Sequence, residues 1–392
     1  MASSKPTILH IGDPIKYNPQ TQALLAQNFN IIRPSTAERQ RPAFLRALRE
    51  RKWGDFAAIM RPFWGTGGEM GKWDNELIGA LPASVRVFAS AGAGFDWADT
   101  EALGRRGIIY CNGGLAAAES VADFAVAMVI STFRQLPWTT GAALIPYVSS
   151  SSSSSPNKAA EAAFAFSHTH TTAHARNPRN HTLGIIGLGK IGQLLAAKLG
   201  NPSMGMKIAY YDVERKPGEL EQQLGATFYP TLEALLGVSD CAVLCTPASP
   251  DGGTVINAHS LAWLKRGGRF VNIARGSLVD EEALADALES GVVSSAGLDV
   301  HADEPRVSRR LLGFAGLDIA AAGTQGGKLD AKGQGLNPGR VLLTCHNAGG
   351  TVETHIGFEE LAMRNVLAVL SGKDAITPVN LHFLKGARES RL

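Results

Sequence analysis

Short apolar segments alternate with amphipathic segments along most of this chain. Thr7–Ile11, Ala57–Met60 and Val85–Ala89 are apolar runs of strand length, and the residues between them have helical periodicity. Strands that are covered by helices on both faces show such unbroken apolar runs, because neither face meets water. The first part of the chain therefore predicts one unit in which parallel strands and helices alternate.

A second alternating series begins near Thr182, after a long helix predicted over Glu119–Leu136. Its apolar runs predict strands at Leu183–Ile186, Lys207–Tyr211, Cys241–Cys245, Arg269–Ile273, Ser295–Asp299 and Val341–Leu343. Alternation of this kind is typical of doubly wound parallel sheets. The fold class predicted for the whole chain is α/β with two such sheets.

Two segments break the pattern. Seven consecutive serines, Ser149–Ser155, precede a proline and an alanine-rich stretch, and Gly316–Gly339 is rich in glycine with weak patterning. A serine run cannot bury apolar surface, so we expect a loop there. The sequence predicts surface inserts near residues 137–181 and 316–339.

Composition narrows the function without identifying it. A chain of 392 residues can form two domains, and a net charge of +3 argues against a nucleic-acid protein. The sequence predicts no apolar segment that approaches the ~20 residues of a membrane span, so no membrane partner is expected. Four cysteines without a CxxC motif, and no secretory signal, favour a cytoplasmic protein. The terminal Ser390-Arg391-Leu392 is either a peroxisomal address or an ordinary basic tail.

The glycine pattern Gly187-Leu188-Gly189-Lys190-Ile191-Gly192 lies between a predicted strand and a predicted helix. In that position the first glycine permits a tight turn, the second lets the backbone approach a pyrophosphate, and the third packs helix on strand. The helix N-terminus then offers N–H groups and a positive dipole end to phosphates. The sequence predicts a dinucleotide site here.

Asp212 ends the next strand, twenty residues beyond Gly192. A carboxylate at this place accepts hydrogen bonds from an adenosine ribose and repels a 2′-phosphate, so NAD is the predicted cofactor. Arg215 and Lys216 are near enough in sequence to weaken that preference.

Three side chains further along suit chemistry on a 2-oxo acid, and we call Arg275, Glu304 and His346 the chemical trio. Arg275 follows an apolar strand, at the end where ligands bind in such sheets, and can hold a carboxylate through two N–H donors. His346 can exchange a proton, and Glu304 can favour its imidazolium form. Each residue alone has a structural alternative, an ion pair, a solvated acid or a hydrogen-bonded histidine; the set predicts hydride transfer.

Two other groups leave alternatives open. Asp299, at a strand end, can hold a nicotinamide amide or can cap a turn. His168, His170, His174 and His181 could bind a metal, but they lie in a polar insert without cysteine, and no metal site is predicted.

Together these motifs resemble the D-isomer-specific 2-hydroxyacid dehydrogenases. The matching segments are Gly187–Gly192, Val271–Asp280, Ala296–Val300, Glu304-Pro305 and His346 with Gly349-Gly350. Within that family, Ala91–Trp97, Asn177–His181, Asp299-Val300-His301, Glu353-Thr354 and Thr377-Pro378 are most similar to the D-mandelate type. Many members have proline before the active-site histidine, where this chain has Cys345.

The resemblance implies a Rossmann-type nucleotide domain over 114–348 and a flavodoxin-like substrate domain over 1–113 and 349–392, with a cleft between them. It implies that Arg275 binds the substrate, that His346 is the acid/base and that Glu304 is its partner. It further implies that Ala93 and Gly94 receive the substrate carboxylate and that members form homodimers. The implied cofactor-binding residues are Gly187, Leu188, Gly189, Lys190, Ile191, Gly192, Asp212, Thr246, Pro247, Ala274 and Asp299.

The expected activity is reversible hydride transfer between NAD(H) and a 2-oxo or D-2-hydroxy acid. Phe63, Trp64 and Phe95 lie near predicted strand ends, where they either accommodate a bulky or aromatic substituent or pack the core. Two alternatives stay open: a glyoxylate/hydroxypyruvate reductase, which needs only a small pocket, and an NAD-sensing binding protein with little catalysis.

Overall fold

The computed structural model of the protein describes residues 5–140, 143, 156–248, 253–315 and 339–384. The strands in these residues are β1 Thr7–His10, β2 Asn30–Ile32, β3 Ala58–Arg61, β4 Val87–Ser90, β5 Ile109–Cys111, β6 Thr182–Ile186, β7 Lys207–Tyr211, β8 Ala226–Phe228, β9 Cys241–Leu244, β10 Gly268–Asn272, β11 Val293–Leu298 and β12 Val341–Leu343. Every strand predicted from an apolar run is present, and the three strands that were missed are each three residues long: β2, β5 and β8.

Helices connect the strands. They are α1 Pro19–Asn28, α2 Arg41–Arg49, α3 Asn75–Gly79, α4 Thr100–Arg105, α5 Gly114–Arg134, α6 Pro156–His174, α7 Lys190–Gly200, α8 Gly218–Leu224, α9 Leu232–Val238, α10 Ala258–Ala262, α11 Glu281–Glu289, α12 Arg309–Ala315 and α13 Val352–Leu370, with a short 3-10 turn at Gly276–Leu278.

The chain divides into two compact units, which we call unit 1 and unit 2. Unit 1 comprises Met1–Ser120 and Gly350–Leu392, and unit 2 comprises Val121–Gly349. The sequence-based expectation places these divisions after residues 113 and 348. The first division falls within α5, so the helix that was expected to open the nucleotide domain begins in unit 1.

Each unit contains one parallel sheet, which confirms the predicted fold class. In unit 1 the strand order is β2-β1-β3-β4-β5, the flavodoxin-like order; in unit 2 it is β12-β11-β10-β9-β6-β7-β8, which extends the dinucleotide-binding order by one strand. Helices cover both faces of the sheet in unit 1. Leu9 and Ile59 belong to the core on one face, and Ile8 and Met60 belong to the core on the other. Successive strand residues point to opposite faces, so both must be apolar, which is why the runs are unbroken.

α5 corrects one expectation. This 21-residue helix is long and apolar enough to cross a membrane by length and composition, although no such segment was expected. Its side chains Ala122, Ala125, Met128, Val129 and Phe133 are buried in the protein, at the spacing of a helix face that packs into a core. Glu119 and Asp123 interrupt the apolar sequence, so it does not read as one apolar run of this length.

The first insert contains a helix that was not predicted. The alanine-rich stretch after the serines forms α6, a helix of 19 residues. Alanine is the strongest helix former, and Pro156 occupies the first position of the helix, where a missing N–H costs nothing. The serine run Ser149–Ser155 and most of the second insert lie outside the described residues.

Candidate active site

The predicted site residues of unit 2 lie at one edge of its sheet. All seven strands described there run parallel, so their carboxyl ends share an edge. The glycine turn follows β6, and β6 lies between β9 and β7 at the point where the strand order reverses. At such a point the connecting loops diverge to opposite faces and leave a crevice, which is where doubly wound sheets bind ligands.

The glycine turn has the geometry that a bound pyrophosphate requires. Gly187 has a left-handed φ of +95°, and a Cβ there would lie 3.0 Å from the Thr246 amide nitrogen. A Cβ on Gly192 would lie 2.4 Å from the Gly187 oxygen, so only glycine lets α7 pack this closely on the turn. Gly189 has nothing within 4 Å of its Cβ position, and as N-cap of α7 it offers no side-chain cap. The helix end thus has no side-chain cap, and the space beside Gly189 is open, an arrangement that suits a bound anion.

Asp212 lies directly beyond β7 and is tied to the glycine turn. Its Oδ2 accepts the Leu188 N–H at 2.9 Å and also lies 2.9 Å from the Lys216 ammonium. The other nearby cation is engaged elsewhere, because Arg215 pairs with Glu221 at 2.8 Å. The structure thus places the acid beside the turn, with one lysine partly neutralising it.

The remaining predicted cofactor residues occupy the same edge. Thr246 and Pro247 follow β9, and the Cys245 N–H donates to Ile186 O at 2.8 Å, which joins this loop to the end of β6. Lys190 and Ile191 form the first turn of α7. Ala274, which lies just beyond β10, is buried.

Arg275 begins the turn that follows β10, and a buried asparagine braces this turn. Asn272 is fully buried; its amide Nδ2 donates to Arg275 O at 2.9 Å, and its Oδ1 accepts the Ala274 N–H at 3.0 Å. The Arg275 side chain is half-buried, and its Nη1 donates to the Ala274 carbonyl at 2.7 Å. Sequence reasoning missed Asn272, although a polar residue at the end of an apolar strand is a usable signal.

The turn carrying Arg275 packs directly on the loop that leads to Glu304. A Cβ on Gly276 would lie 1.9 Å from the carbonyl carbon of His301, so the two backbones are in contact. β10 and β11 are paired neighbours, and the Asp299 N–H donates to Asn272 O at 3.0 Å. The structure therefore brings the segment that carries Arg275 beside the segment that carries Glu304.

His346 and Glu304 are in direct contact. The His346 Nδ1 lies 2.9 Å from Glu304 Oε2, and both side chains are partly exposed, at 45% and 36%. Partial burial opposes ionisation of Glu304, but hydrogen bonds from His346 and from the His301 amide outweigh it and hold the pKa of Glu304 below its usual value. The carboxylate is thus ionised at neutral pH, and it binds the histidine at Nδ1, which leaves Nε2 for a substrate.

Asp299 holds the loop on which His346 lies. Its carboxylate is buried and accepts the N–H groups of Asn347 at 2.9 Å and Ala348 at 2.8 Å, and the Thr344 hydroxyl at 2.7 Å. This is the turn-capping alternative that the sequence left open. A carboxylate has about four acceptor positions, so three are in use and the nicotinamide role stays a prediction.

The predicted carboxylate-binding loop belongs to unit 1. The Asn112 amide donates to Ala93 O at 2.8 Å, and the Gly113 N–H donates to Gly92 O at 2.7 Å. Gly92 has a left-handed φ of +89°, so the turn ahead of Ala93 and Gly94 favours glycine. Their contact with a substrate stays a prediction.

An aromatic group in unit 1 was only partly foreseen. The rings of Phe63 and His355 stack with centroids 4.1 Å apart, and Tyr17 meets His355 edge-on at 5.0 Å. Trp64 is adjacent and 42% exposed, whereas Phe95 packs against the core. His355 and Tyr17 were missed because they are distant in sequence and neither belongs to a motif.

Among the described residues, no group of three or more histidine, cysteine, aspartate or glutamate side chains is arranged to hold an ion.

Comparisons with known proteins agree with this geometry. Residues 153–320 match the family model of the D-isomer specific 2-hydroxyacid dehydrogenase NAD binding domain. D-mandelate dehydrogenase of Rhodotorula graminis, in its holo form, superposes with a TM-score of 0.82 at 34% identity, over 96% of this chain and 98% of that one. Glyoxylate reductase of Thermococcus kodakarensis is 30% identical over 80% of this chain and 81% of its own length. 4-Methyl-2-oxopentanoate reductase A of Aspergillus oryzae is 30% identical over 86% of this chain and 88% of its own.

The chain belongs to the D-isomer-specific 2-hydroxyacid dehydrogenase family. It is an NAD-dependent oxidoreductase that transfers a hydride between the cofactor and a 2-oxo or D-2-hydroxy acid, as the sequence predicts. The glycine turn, with its open space at Gly189 and uncapped helix end, fits that cofactor.

Proposed function

We propose that the preferred substrate is a 2-oxo acid, or the corresponding D-2-hydroxy acid, with a bulky or aromatic substituent on C2. The observation that carries this proposal is the stacked pair of Phe63 and His355 in unit 1. Flat side chains held in parallel offer a surface on which an aryl group packs well. The similarity to a D-mandelate dehydrogenase, an enzyme named for an aryl substrate, supports the same choice.

The stacked pair is fixed and lies close to the predicted carboxylate loop. The His355 Nε2 lies 3.4 Å from Glu359, whose buried carboxylate accepts the N–H groups of Lys16 and Tyr17 at 2.8 Å each. One helical turn further along α13, Phe358 touches the Cβ position of Gly113 at 2.7 Å, and that position is also 2.9 Å from the Gly92 nitrogen. The aromatic group therefore neighbours the segment that is predicted to receive the substrate carboxylate, where a C2 substituent would lie.

The chemical trio supplies the groups that the reaction needs. Arg275 binds the substrate carboxylate and polarises the carbonyl through its N–H donors. His346, with Nδ1 occupied by Glu304, donates the Nε2 proton to the carbonyl oxygen and takes it back in the oxidation. When bound, NADH supplies the hydride that C2 receives. The developing charge on oxygen is stabilised by the imidazolium and the guanidinium together.

Arg275→Lys tests the role assigned to the guanidinium. Lysine keeps the charge but loses the two parallel donors, so we expect KM for the oxo acid to rise and kcat/KM to fall by about 10- to 100-fold. NADH affinity, measured by nucleotide fluorescence, should not change. An unaltered kcat/KM would remove Arg275 from the substrate site.

A panel of 2-oxo acids tests the substrate proposal. Initial rates of NADH oxidation are compared for phenylglyoxylate, 4-methyl-2-oxopentanoate and glyoxylate, and we expect kcat/KM to decrease in that order. Phe63→Ala should lower the value for phenylglyoxylate by about 10-fold or more and leave glyoxylate nearly unchanged. Phe164→Ala, at a position in α6 that is 54% exposed, is the control. Glyoxylate as the best substrate of the wild type would contradict the proposal.

A glyoxylate or hydroxypyruvate reductase is the second candidate. It is favoured by the similarity to glyoxylate reductases, including one from Paecilomyes thermophila with a TM-score of 0.75 at 29% identity. The same panel separates the two candidates, because a small pocket would reject phenylglyoxylate. The sensor alternative is less favoured, because the His346–Glu304 contact of an acid/base pair is intact.

Three further properties are proposals as well. We propose that Asp212 gives a preference for NADH over NADPH, that the chain forms a homodimer and that it is cytoplasmic. Light scattering of the purified protein tests the second, and microscopy of a chain tagged at its N-terminus tests the third. The tripeptide Ser390-Arg391-Leu392 lies outside the described residues.

A further inference from the structure

His301 is a buried histidine that belongs to the Asp299-Val300-His301 segment but has no part in the proposed mechanism. It lies three residues beyond β11, and its side chain is 3% exposed. The ring nitrogen Nε2 lies 2.8 Å from the carbonyl oxygen of Thr344. A carbonyl oxygen can only accept, so Nε2 carries the hydrogen and donates it. The acceptor lies two residues before His346, in the segment that leads from β12 to the proposed acid/base.

The backbone of the same residue holds the partner of that histidine. The His301 N–H donates to Glu304 Oε1 at 3.0 Å, while the other oxygen of that carboxylate meets His346 Nδ1 at 2.9 Å. His301 therefore contacts both sides of the acid/base pair: its ring holds the His346 segment, and its amide holds Glu304.

The conformation of His346 explains why this support is needed. Its φ is +53°, in the left-handed region that residues other than glycine rarely adopt. Such a conformation persists only where the surroundings fix it from several directions. The His346 N–H donates to Asp299 O at 2.6 Å, and the Asp299 carboxylate holds the residues that follow. On the preceding side, Thr344 is held by two side chains: the His301 ring binds its carbonyl oxygen, and the Asp299 carboxylate accepts its hydroxyl.

The other ring nitrogen shows that filling space does not account for a histidine here. His301 Nδ1 is buried, and no hydrogen-bond partner is found for it among the described residues. Glu281 Oε1 is 3.9 Å away, too far for a hydrogen bond, and accepts the Ala302 N–H at 3.0 Å instead. A buried polar atom without a partner is unfavourable, and an apolar ring of similar size would avoid that cost. The benefit of histidine must then lie in the bond that Nε2 makes.

We propose that His301 is a positioning residue for the acid/base pair, which it holds in register through its Nε2 bond to Thr344. The proposal rests on the proposed roles of His346 and Glu304. Loss of the Nε2 donor lets the segment before His346 move, so the imidazole leaves its place against Glu304. The imidazolium then loses part of its stabilisation, and the proton donor for reduction is lost at a lower pH.

Two substitutions separate this role from simple packing. His301→Phe keeps the ring volume and removes the donor, and His301→Gln places an amide N–H donor near the position of Nε2. We expect the phenylalanine variant to lose about 10- to 100-fold in kcat, because small displacements of catalytic groups have effects of this size. The pH above which reduction declines should also shift downward. The glutamine variant should recover most of both properties, and His259→Gln, at an exposed position in α10, should match the wild type.

The measurements are kcat and KM for phenylglyoxylate from pH 5 to 9, with NADH binding followed by fluorescence as a readout that does not depend on turnover. NADH binding should be equal in all variants. Normal kcat and an unshifted profile in His301→Phe would overturn the proposal, as would equal losses in the phenylalanine and glutamine variants. If the phenylalanine variant does not fold, His301→Met is measured in its place. His346→Ala is run in parallel: near-normal turnover there would refute the proposed function, not only the role of His301.

Discussion

Gly276 packs so closely on His301 that a Cβ added to the glycine would lie 1.9 Å from the histidine carbonyl carbon. Neither partner is a flexible side-chain end, so a larger residue must move one backbone away from the other. That contact joins the segment that carries Arg275 to the segment that carries Glu304. The two backbones can lie this close only because position 276 has no Cβ.

Gly276→Ala adds only one methyl group, but it should lower both activity and stability. We expect kcat/KM to fall by about 100-fold, since the loops of Arg275 and Glu304 are pushed apart, and stability to fall by roughly 1–3 kcal/mol from overpacking. Urea unfolding and steady-state rates measure the two effects. Gly237→Ala in α9, where nothing lies within 4 Å of the Cβ position, is the matched control and should gain up to about 1 kcal/mol. Equal behaviour of the two variants would mean that the contact is unimportant.

The pH dependence of reduction should depend on the His346–Glu304 pair. Reduction needs a proton donor, so kcat/KM should decline as the pH rises. The pKa of Glu304 is held below its usual value, so the pair should remain intact as pH falls until that carboxylate takes up a proton. In Glu304→Gln the alkaline decline should begin at a lower pH, because the imidazolium has lost a negative partner. His346→Ala should lose about 100- to 10,000-fold in kcat with NADH still bound.

Rates of 2-oxo acid reduction across the pH range, measured for the wild type and Glu304→Gln, provide the test. Superimposable profiles for these two proteins would show that the carboxylate does not influence the proton donor.

Cofactor choice should depend on Asp212. Its removal frees Lys216, which now lies 2.9 Å from the carboxylate, to meet a 2′-phosphate, and it also removes a repulsive charge. We expect Asp212→Ala to raise kcat/KM with NADPH relative to NADH by about 10- to 100-fold, the effect of one hydrogen bond to a charged group. Glu214→Ala, at an exposed position two residues further on, is the control. An unchanged ratio would locate the specificity elsewhere.

His10 should make unit 1 sensitive to acid. Its side chain is buried at the end of β1; burial, assisted by Arg33 and Arg39 and opposed by Asp13 and Glu359, lowers the pKa of His10 from 6.5 to about 4. Between those values the unfolded chain binds a proton that the folded chain does not, so stability falls as the pH is lowered. The slope is up to about 1.4 kcal/mol per pH unit.

Urea unfolding of the wild type and His10→Met at pH 7, 6 and 5 measures this dependence. As the pH is lowered, the free energy of unfolding should fall more steeply in the wild type than in His10→Met, whichever protein is the more stable at pH 7. His382→Gln, at an exposed position, should keep the wild-type slope. Parallel slopes in all three proteins would exclude His10 as the source of acid sensitivity.

The sequence predicted what short-range patterns determine. Buried parallel strands need unbroken apolar runs, so β6, β7 and β10 were located closely, and Gly187 and Gly192 were correctly assigned to a tight turn and a helix–strand contact. β2 and β8 are as short as β12 but each contains a polar residue, Asn30 and Thr227, so neither shows the unbroken apolar run by which β12 was located. α6 was not predicted, because the alanine-rich stretch was assigned to the same surface insert as the serine run before it.

What the sequence could not show is the network around the chemical trio. Asn272 and His301 bind main-chain carbonyl groups, and the two residues joined by the bond from His301 to Thr344 are 43 positions apart. Such contacts produce no periodic pattern in the sequence. The stacked pair of Phe63 and His355 joins residues that lie far apart in the chain for the same reason. A motif identifies residues that touch a ligand, whereas residues that hold them in place are visible only after folding.

The way in which Asp299 binds its loop has a consequence for the residue at position 345. Its carboxylate grips main-chain N–H groups of Asn347 and Ala348, which every residue except proline provides, and it does not depend on what stands at position 345. The cysteine at position 345, where the family resemblance implies a proline, therefore leaves these bonds in place. Exchanging that residue should change the neighbour of His346 without loosening the loop that carries it.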